Sequence, residues 1–180
     1  MSTFISGDKI NLRGLYREDL EEYRKWLDNS EVTYFMESGA APTTNKELEA
    51  IFEASTDNRN NIVFVVEEKE SGRPLGVAGL YLIQWICRRA EFRILLGASD
   101  CRGKGYGTEA AQLILDYAFN KLNLEVIYLG VNTENVGAVK SYENAGFQKE
   151  GVRRKLVYRN GRYYDCYMMS ILKEEFLEKK

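Results

Sequence analysis

The sequence has 180 residues, of which 44% are hydrophobic and 29% are charged, with a formal net charge of −2 at pH 7. This length and balance predict one soluble domain over residues 1–180 and argue against nucleic acid as a partner, because a negative net charge gives no overall attraction to a nucleic-acid backbone. Apolar stretches stay short of the roughly 20 residues that span a membrane, and the N-terminus shows no export signal. We therefore expect a cytoplasmic protein without a membrane partner.

The missing residue type narrows the chemistry further. The chain contains no histidine, and Cys87, Cys101 and Cys166 form no metal-spaced pair. Histidine-dependent triads and histidine zinc sites are therefore excluded, and we expect no metal. Any acid–base step has to use carboxylates, tyrosines, cysteines, amines or water.

Hydrophobic periodicity and turn signals predict alternating strands and helices. In chain order these are a strand at 9–13, helices at 17–27 and 43–54, strands at 61–68, 75–85 and 88–97, a helix after the glycine-rich turn, a strand at 124–131, a helix at 135–146, and strands at 147–159 and 162–172. The second helix has Thr44 as its expected N-cap, and Asn160-Gly161 predicts a tight hairpin turn between the last two strands.

Three glycines stand at alternate positions, Gly103, Gly105 and Gly107, just before a predicted helix. Glycine is entropically costly, so this spacing indicates that the main chain must come close to something. A strand, a glycine turn and a helix N-terminus form a common anion site, and Arg102 and Lys104 add positive charge. The turn lacks the lysine of a phosphate-binding Walker loop and the third glycine of the dinucleotide fingerprint. A surface turn that only caps the helix is the alternative.

The pattern Arg102-x-x-Gly105-x-Gly107 resembles the pyrophosphate loop, Q/R-x-x-G-x-G/A, of the GNAT superfamily of N-acetyltransferases. A second segment is similar to that family's later motif, N-x-x-N-x-x-A-x-x-x-Y-x-x-x-G-F. The residues that match it are Asn132, Asn135, Ala138, Tyr142, Gly146 and Phe147. The segments RRAEFRILLG and YRNGRYYD, together with the glycine loop, most resemble the branch of ribosomal-protein N-terminal acetyltransferases and bacterial spermidine N-acetyltransferases, and RRAEF in particular resembles the spermidine enzymes. The resemblance implies an α/β (α+β) fold, a mixed, mostly antiparallel sheet of about seven strands with four main helices on its faces.

The resemblance also implies acetyl-coenzyme A as the co-substrate. Main-chain groups of Ile94, Leu95 and Leu96 are expected to pair with the pantetheine arm. Asn135 is expected to bind the amides of that arm, with an N-cap role as the alternative, and Ala138 is a further expected coenzyme-binding residue. The residues expected to hold the pyrophosphate are Arg102, Gly103, Lys104, Gly105, Tyr106, Gly107 and Thr108.

Two residues are the expected catalysts. The resemblance implies that Tyr142 gives a proton to the departing coenzyme A thiolate, whereas a lone tyrosine on this helix face is otherwise a core aromatic. Amine attack also needs a proton acceptor, and Glu91 is the candidate base or water holder, with an ion pair to Arg88, Arg89 or Arg93 as the alternative. Direct transfer is the family norm, although Cys101 beside the positive turn admits an acetyl-cysteine route.

The sequence gives less information about the acceptor than about the co-substrate. Tyr34, Phe35, Glu37 and Trp85 are the candidate substrate-binding residues, with a core role as the alternative for the three aromatic ones. We expect a primary amine, either a polyamine-like small molecule or a protein N-terminus. The alternatives are an amino sugar or antibiotic as acceptor, and a non-catalytic acyl-coenzyme A sensor. The terminal hairpin offers an edge for a homo-oligomer.

Overall fold

The computed structural model describes residues 2–36, 39–56, 59–97 and 99–179. The strands are β1 (Ile5–Ser6), β2 (Ile10–Gly14), β3 (Ile62–Glu68), β4 (Pro74–Gln84), β5 (Arg89–Leu96), β6 (Val126–Asn132), β7 (Gln148–Arg159) and β8 (Arg162–Leu172). The helices are α1 (Leu20–Leu27), α2 (Asn45–Thr56), α3 (Tyr106–Asp116), α4 (Val136–Ala145) and α5 (Lys173–Glu178). Across these described ranges, no helix is long and apolar enough to cross a bilayer.

All eight strands belong to one sheet, in the order β1-β2-β3-β4-β5-β6-β8-β7. Neighbours are antiparallel except β5 and β6, which are parallel. This mixed sheet with four main helices confirms the predicted fold. The sheet has one strand more than the expected seven because Ile5 and Ser6 pair with β2, and two residues are too few to give a periodic signal.

Local signals in the sequence are realised where they were expected. The Thr44 hydroxyl accepts a hydrogen bond from the Glu47 N–H at 3.2 Å, as an N-cap should. Gly146 ends α4 with φ +110°, a left-handed conformation that glycine adopts readily. Asn160 and Gly161 both have positive φ, +51° and +80°, the geometry of a type I′ hairpin turn.

The central strands are buried on both faces, which explains their nearly continuous apolar runs. On one face, Val65 and Val77 pack under Leu48 of α2. On the other face, Ala78 belongs to the larger core together with Ile114 of α3. Helices α1 and α2 therefore cover one side of the sheet, and α3 and α4 cover the other.

A gap opens within the sheet between β5 and β6. The two strands pair at only three positions, and the last pair is Glu91 with Tyr128. Beyond it, residues 92–96 of β5 and 129–132 of β6 run apart. The glycine loop follows β5 and α4 follows β6, so both lie at the open end of this gap. We call the open end the mouth and the Glu91–Tyr128 end the closed end.

Candidate active site

The glycine loop at the mouth presents main-chain N–H groups. Gly103 and Gly105 have φ of +76° and +86°, a left-handed conformation in which other residues are strained. Helix α3 begins immediately afterwards, and the N–H of Glu109 is bonded back to the Gly105 carbonyl at 3.0 Å. The N–H groups of residues 106–108 belong to the first turn of α3, where no carbonyl of the helix itself is placed to accept from them. This arrangement suits an anion with several oxygen atoms.

The third glycine has a different role. Gly107 lies inside the first turn of α3, and a Cβ there would stand 3.3 Å from the Ser141 hydroxyl of α4. The neighbouring Thr108 hydroxyl is 2.7 Å from that same oxygen. Gly107 and the Thr108 side chain therefore hold α3 against α4, whereas their N–H groups remain part of the loop.

The side chains of the loop diverge. Arg102 is exposed, and its guanidinium donates to the Glu31 carbonyl at 3.3 Å. Lys104 lies 3.7 Å from Asp100. Tyr106 is buried, and its hydroxyl donates to Glu68 at 2.7 Å, which raises the pKa of Tyr106 to about 12. The expectation that Tyr106 holds pyrophosphate is therefore narrowed to its main chain, because its side chain anchors the loop to β3.

Only alternate residues of β5 direct their main-chain N–H and C=O groups into the gap. The N–H of Gly97 donates to the Leu75 carbonyl on the β4 side, at 2.9 Å. Main-chain groups point alternately to the two sides of an antiparallel strand, so Leu95 also faces β4. Ile94 and Leu96 face the gap. Including Leu95 in the set that pairs with the pantetheine arm was wrong, because its main-chain groups belong to the β4 ladder.

Asn135 occupies the start of α4. Its side-chain oxygen accepts from the Ala138 N–H at 3.3 Å, so the N-cap alternative is realised. The amide nitrogen of Asn135 is then the group left to donate elsewhere. Ala138 packs against the larger core, with its N–H committed to this cap.

Tyr142 lies on the face of the sheet that α3 and α4 cover. Its half-buried ring packs edge-on against Phe92 and Phe147, with centroids 6.0 and 5.9 Å away. Burial raises the pKa of Tyr142 to about 12, so its hydroxyl keeps its proton at neutral pH. The ring is part of the core, as the alternative held, while the hydroxyl is a ready hydrogen-bond donor.

Glu91 lies on the opposite face from Tyr142, because Phe92 and Glu91 are successive residues of one strand. Its carboxylate is 2.7 Å from the guanidinium of Arg93, so one of the expected ion pairs is present. That guanidinium also lies 5.0 Å from the ring centroid of Tyr81, the residue opposite Glu91 in β4. Glu91 thus stands beside a cation and an aromatic face at the closed end of the gap.

The predicted acceptor residues separate into two places. Phe35 packs against the terminal hairpin, its ring 6.4 Å from that of Tyr164, and Tyr34 packs edge-on against Phe35 at 4.8 Å. Trp85 lies in the β4–β5 turn and donates to the Arg59 carbonyl at 3.3 Å. That turn adjoins the closed end, whereas Phe35 packs on the terminal hairpin, so the structure does not bring the two together, and the role of Trp85 in acceptor binding stays a prediction. Glu37 lies outside the described residues.

Cys101 does not have the environment that an acetyl-cysteine route requires. The side chain is 3% exposed and belongs to the larger core. Burial raises the pKa of the Cys101 thiol, with the nearby Asp100 acting in the same direction. The positive turn was expected to favour the thiolate, and this expectation was wrong because desolvation outweighs the nearby cations.

Comparisons with known proteins agree with this geometry. The family model described as "Acetyltransferase (GNAT) domain" matches residues 9–148. The chain belongs to this acetyltransferase family. The predictions of acyl transfer and of acetyl-coenzyme A as co-substrate are thereby confirmed.

Close relatives of this acetyltransferase carry a common name. Spermidine N(1)-acetyltransferase of Escherichia coli strain K12 is 35% identical over 96% of this chain and 90% of its own length. The Vibrio cholerae enzyme of that name is 34% identical over 95% of this chain and 97% of its own. A crystal structure of the Vibrio cholerae spermidine N-acetyltransferase with coenzyme A and spermine superposes with a TM-score of 0.86 at 34% identity, covering 95% of this chain and 99% of that one. A dodecameric structure of that enzyme has a TM-score of 0.81 at 34% identity, covering 97% and 99%.

Some residues around the acetyltransferase site carried no signal in the sequence. Arg159, at the tip of the terminal hairpin, donates to the carbonyls of Thr33 and Gly39 at 3.3 and 3.2 Å and fastens the α1–α2 connection. Lys9 donates from its ammonium to the Lys104 carbonyl at 3.0 Å, which fixes the glycine loop from β2. Their partners are 95 or more residues away, a distance that no local pattern spans.

Proposed function

We propose that this chain acetylates a primary amine of a polyamine, taking the acetyl group from acetyl-coenzyme A. The observation that carries the proposal is the gap between β5 and β6, whose mouth presents unbonded N–H groups and whose closed end presents Glu91. The match to spermidine N-acetyltransferases over nearly the whole chain supports a polyamine as the acceptor.

The residues at the mouth fit the coenzyme. The N–H groups of residues 106–108 and the guanidinium of Arg102 suit a diphosphate, because they combine unpaired donors, a helix N-terminus and positive charge. The main chains of Ile94 and Leu96 suit the two peptide-like amides of the pantetheine arm, and the Asn135 nitrogen is available from the other side of the gap. The coenzyme supplies an activated acetyl thioester.

Two side chains on opposite faces of the sheet divide the chemistry. Glu91, on the α1–α2 face, accepts a proton from the arriving ammonium group, which frees the nitrogen lone pair to attack the thioester carbon. Tyr142, on the α4 face, donates a hydrogen bond to the sulfur as the carbon–sulfur bond breaks. The Tyr142 pKa of about 12 lies above the ordinary thiol value of about 8.5. Tyr142 therefore stabilises the thiolate without losing its own proton. The acceptor nitrogen gives up two protons, the first to Glu91 before the attack and the second as the amide forms; one of them protonates the sulfur, and the other passes to water.

A panel of acceptors tests this function. Purified chain and acetyl-coenzyme A are mixed with spermidine, spermine, a peptide with a free N-terminus, glucosamine or no acceptor, and thiol release is measured with mass spectrometry of the product. We expect acetylated spermidine or spermine and little thiol release elsewhere. Turnover of the peptide alone would replace the polyamine with a protein N-terminus as acceptor. Coenzyme binding without any turnover would favour the sensor alternative.

A second proposal concerns assembly. Strand β7 is an edge strand of 12 residues, and it exposes Val152, Leu156 and Tyr158. Long edges with apolar side chains favour pairing with another chain. The dodecameric relative supports the proposal that this chain forms a homo-oligomer. Light scattering of the purified chain measures its mass, and a monomer would contradict the proposal.

A further inference from the structure

The closed end of the gap holds a cation of its own. Arg93 reaches back along β5, places its guanidinium 2.7 Å from the Glu91 carboxylate and lies over the Tyr81 ring at 5.0 Å. Its charge also reaches Tyr23 of α1, where it opposes the rise in pKa that burial causes. Arg93 therefore has a carboxylate and the face of one aromatic ring, Tyr81, around it, the surroundings that proteins use to recognise organic cations.

The same surroundings suit the ammonium group of an acceptor. An alkylammonium next to Glu91 would gain the ion pair with the carboxylate and the contact with the Tyr81 ring that Arg93 now makes. The two cations compete for these groups, because the repulsion of two like charges at contact distance disfavours a second cation beside the same carboxylate. An acceptor that approaches Glu91 has to take the place of the guanidinium.

Arg93 is placed to give way. Its side chain is 52% exposed, whereas that of Glu91 is 22% exposed, so the guanidinium can turn to water while the carboxylate stays in the gap. An ion pair so open to solvent is weak, which makes the exchange inexpensive. We propose that Arg93 is a specificity-determining residue, which holds the acceptor's ammonium site at Glu91 and Tyr81 until a cationic amine displaces it. This inference rests on the proposed function and adds the residue that competes with the acceptor.

The variant Arg93→Gln tests the inference, because glutamine keeps a polar side chain and loses the charge. We expect the KM for spermidine to fall about fivefold, since an exposed ion pair is worth under about 1 kcal/mol. The KM for acetyl-coenzyme A should stay unchanged, and kcat should change less than the acceptor KM does. Arg93→Lys restores a cation over the Tyr81 ring and should return the spermidine KM towards the wild-type value.

Arg89→Gln is the matched control. Arg89 lies on the same strand, carries the same charge and donates to Gln84 at 2.9 Å, outside the contact with Glu91. If Arg89→Gln lowers the spermidine KM equally, the effect is one of net charge and the inference is overturned. An unchanged KM in Arg93→Gln overturns it as well, and a raised KM would show that Arg93 orients Glu91 instead.

A binding measurement separates this inference from the proposed function. Spermidine is titrated by calorimetry into wild type and Arg93→Gln, each saturated with coenzyme A. Tighter binding by Arg93→Gln supports the inference, and equal binding overturns it while leaving the proposed function standing. A wild-type chain that neither binds nor acetylates spermidine overturns the proposed function and the inference together.

Discussion

The two ends of the gap are built from different parts of the chain. At the mouth, the recognition groups are main-chain N–H groups in a loop shaped by Gly103 and Gly105. At the closed end they are the side chains of Glu91, Arg93 and Tyr81, which meet across two strands. A site made of main chain depends on backbone conformation and tolerates side-chain exchange. A site made of side chains depends instead on the identity of each side chain. The two ends should therefore respond to different substitutions.

The largest effect is expected from Tyr142→Phe, which keeps the ring packing against Phe92 and removes only the hydroxyl. We expect kcat to fall about 100-fold, because a donor to the departing sulfur is lost. Calorimetry should give an unchanged affinity for coenzyme A, since the mouth is intact. Tyr158→Phe, which alters an exposed ring on β7, is the control. A loss of coenzyme affinity in Tyr142→Phe would break the division between the two ends.

Gly105→Val attacks the mouth instead. Gly105 has φ +86°, and a β-branched residue is strained there by roughly 1–3 kcal/mol, so the loop and the start of α3 should shift. We expect the Kd for coenzyme A to rise about tenfold, the equivalent of 1.4 kcal/mol. Gly161→Val is the matched control, because Gly161 also has positive φ (+80°) and lies in the hairpin turn. Equal losses of coenzyme affinity in both variants would point to general destabilisation.

This difference between the ends also decides what the sequence reveals. The local structure at the mouth was predictable because the glycines directly precede α3 and the Asn135 cap directly precedes α4, while the role of these residues in binding the coenzyme stays a prediction. Leu95 was misassigned because the alternation of main-chain groups becomes visible only when the register with β4 is known. The separation of Trp85 from Phe35 could not be predicted for a related reason, since aromatic character alone says nothing about which end of the sheet a residue occupies.

The side-chain contacts at the closed end could not be predicted, because no local sequence pattern specifies them. The sequence left Glu91 with three possible arginine partners. Arg89 and Arg93 both share its face of β5, and Arg93 is the partner because Arg89 donates to Gln84 instead. The stacking on Tyr81 needs the β4–β5 register as well. Cys101 was misjudged because burial by residues distant in sequence is the largest influence on its thiol pKa and outweighs the nearby cations. A single sequence does not show which residues distant in the chain will bury a given side chain.

A smaller effect is expected from pH, and it sharpens the description of the Tyr142 site. Burial raises the Tyr142 pKa from 10 to about 12, so between these values the unfolded chain loses this proton first. The unfolded state is then favoured, and the free energy of unfolding falls as pH rises, whereas below about pH 10 the contribution is constant. From pH 10 to 11 wild type should lose about 1 kcal/mol more stability than Tyr142→Phe. Equal losses in denaturant titrations at the two pH values would mean that the hydroxyl is well hydrated.

The smallest effect is expected from Cys101→Ala, at the base of the mouth. If the mouth acts through its main chain, a buried side chain beside it should not take part in the chemistry. The raised pKa of the Cys101 thiol keeps it protonated, and a thiol is a poor nucleophile compared with its thiolate. We expect kcat and the KM for acetyl-coenzyme A to stay within about twofold of wild type, because the substitution only leaves a small cavity near the site. Mass spectrometry of wild type mixed with acetyl-coenzyme A alone should show no acetylated cysteine. An adduct at Cys101 would restore the covalent route and show that a side chain at the mouth takes part in the chemistry.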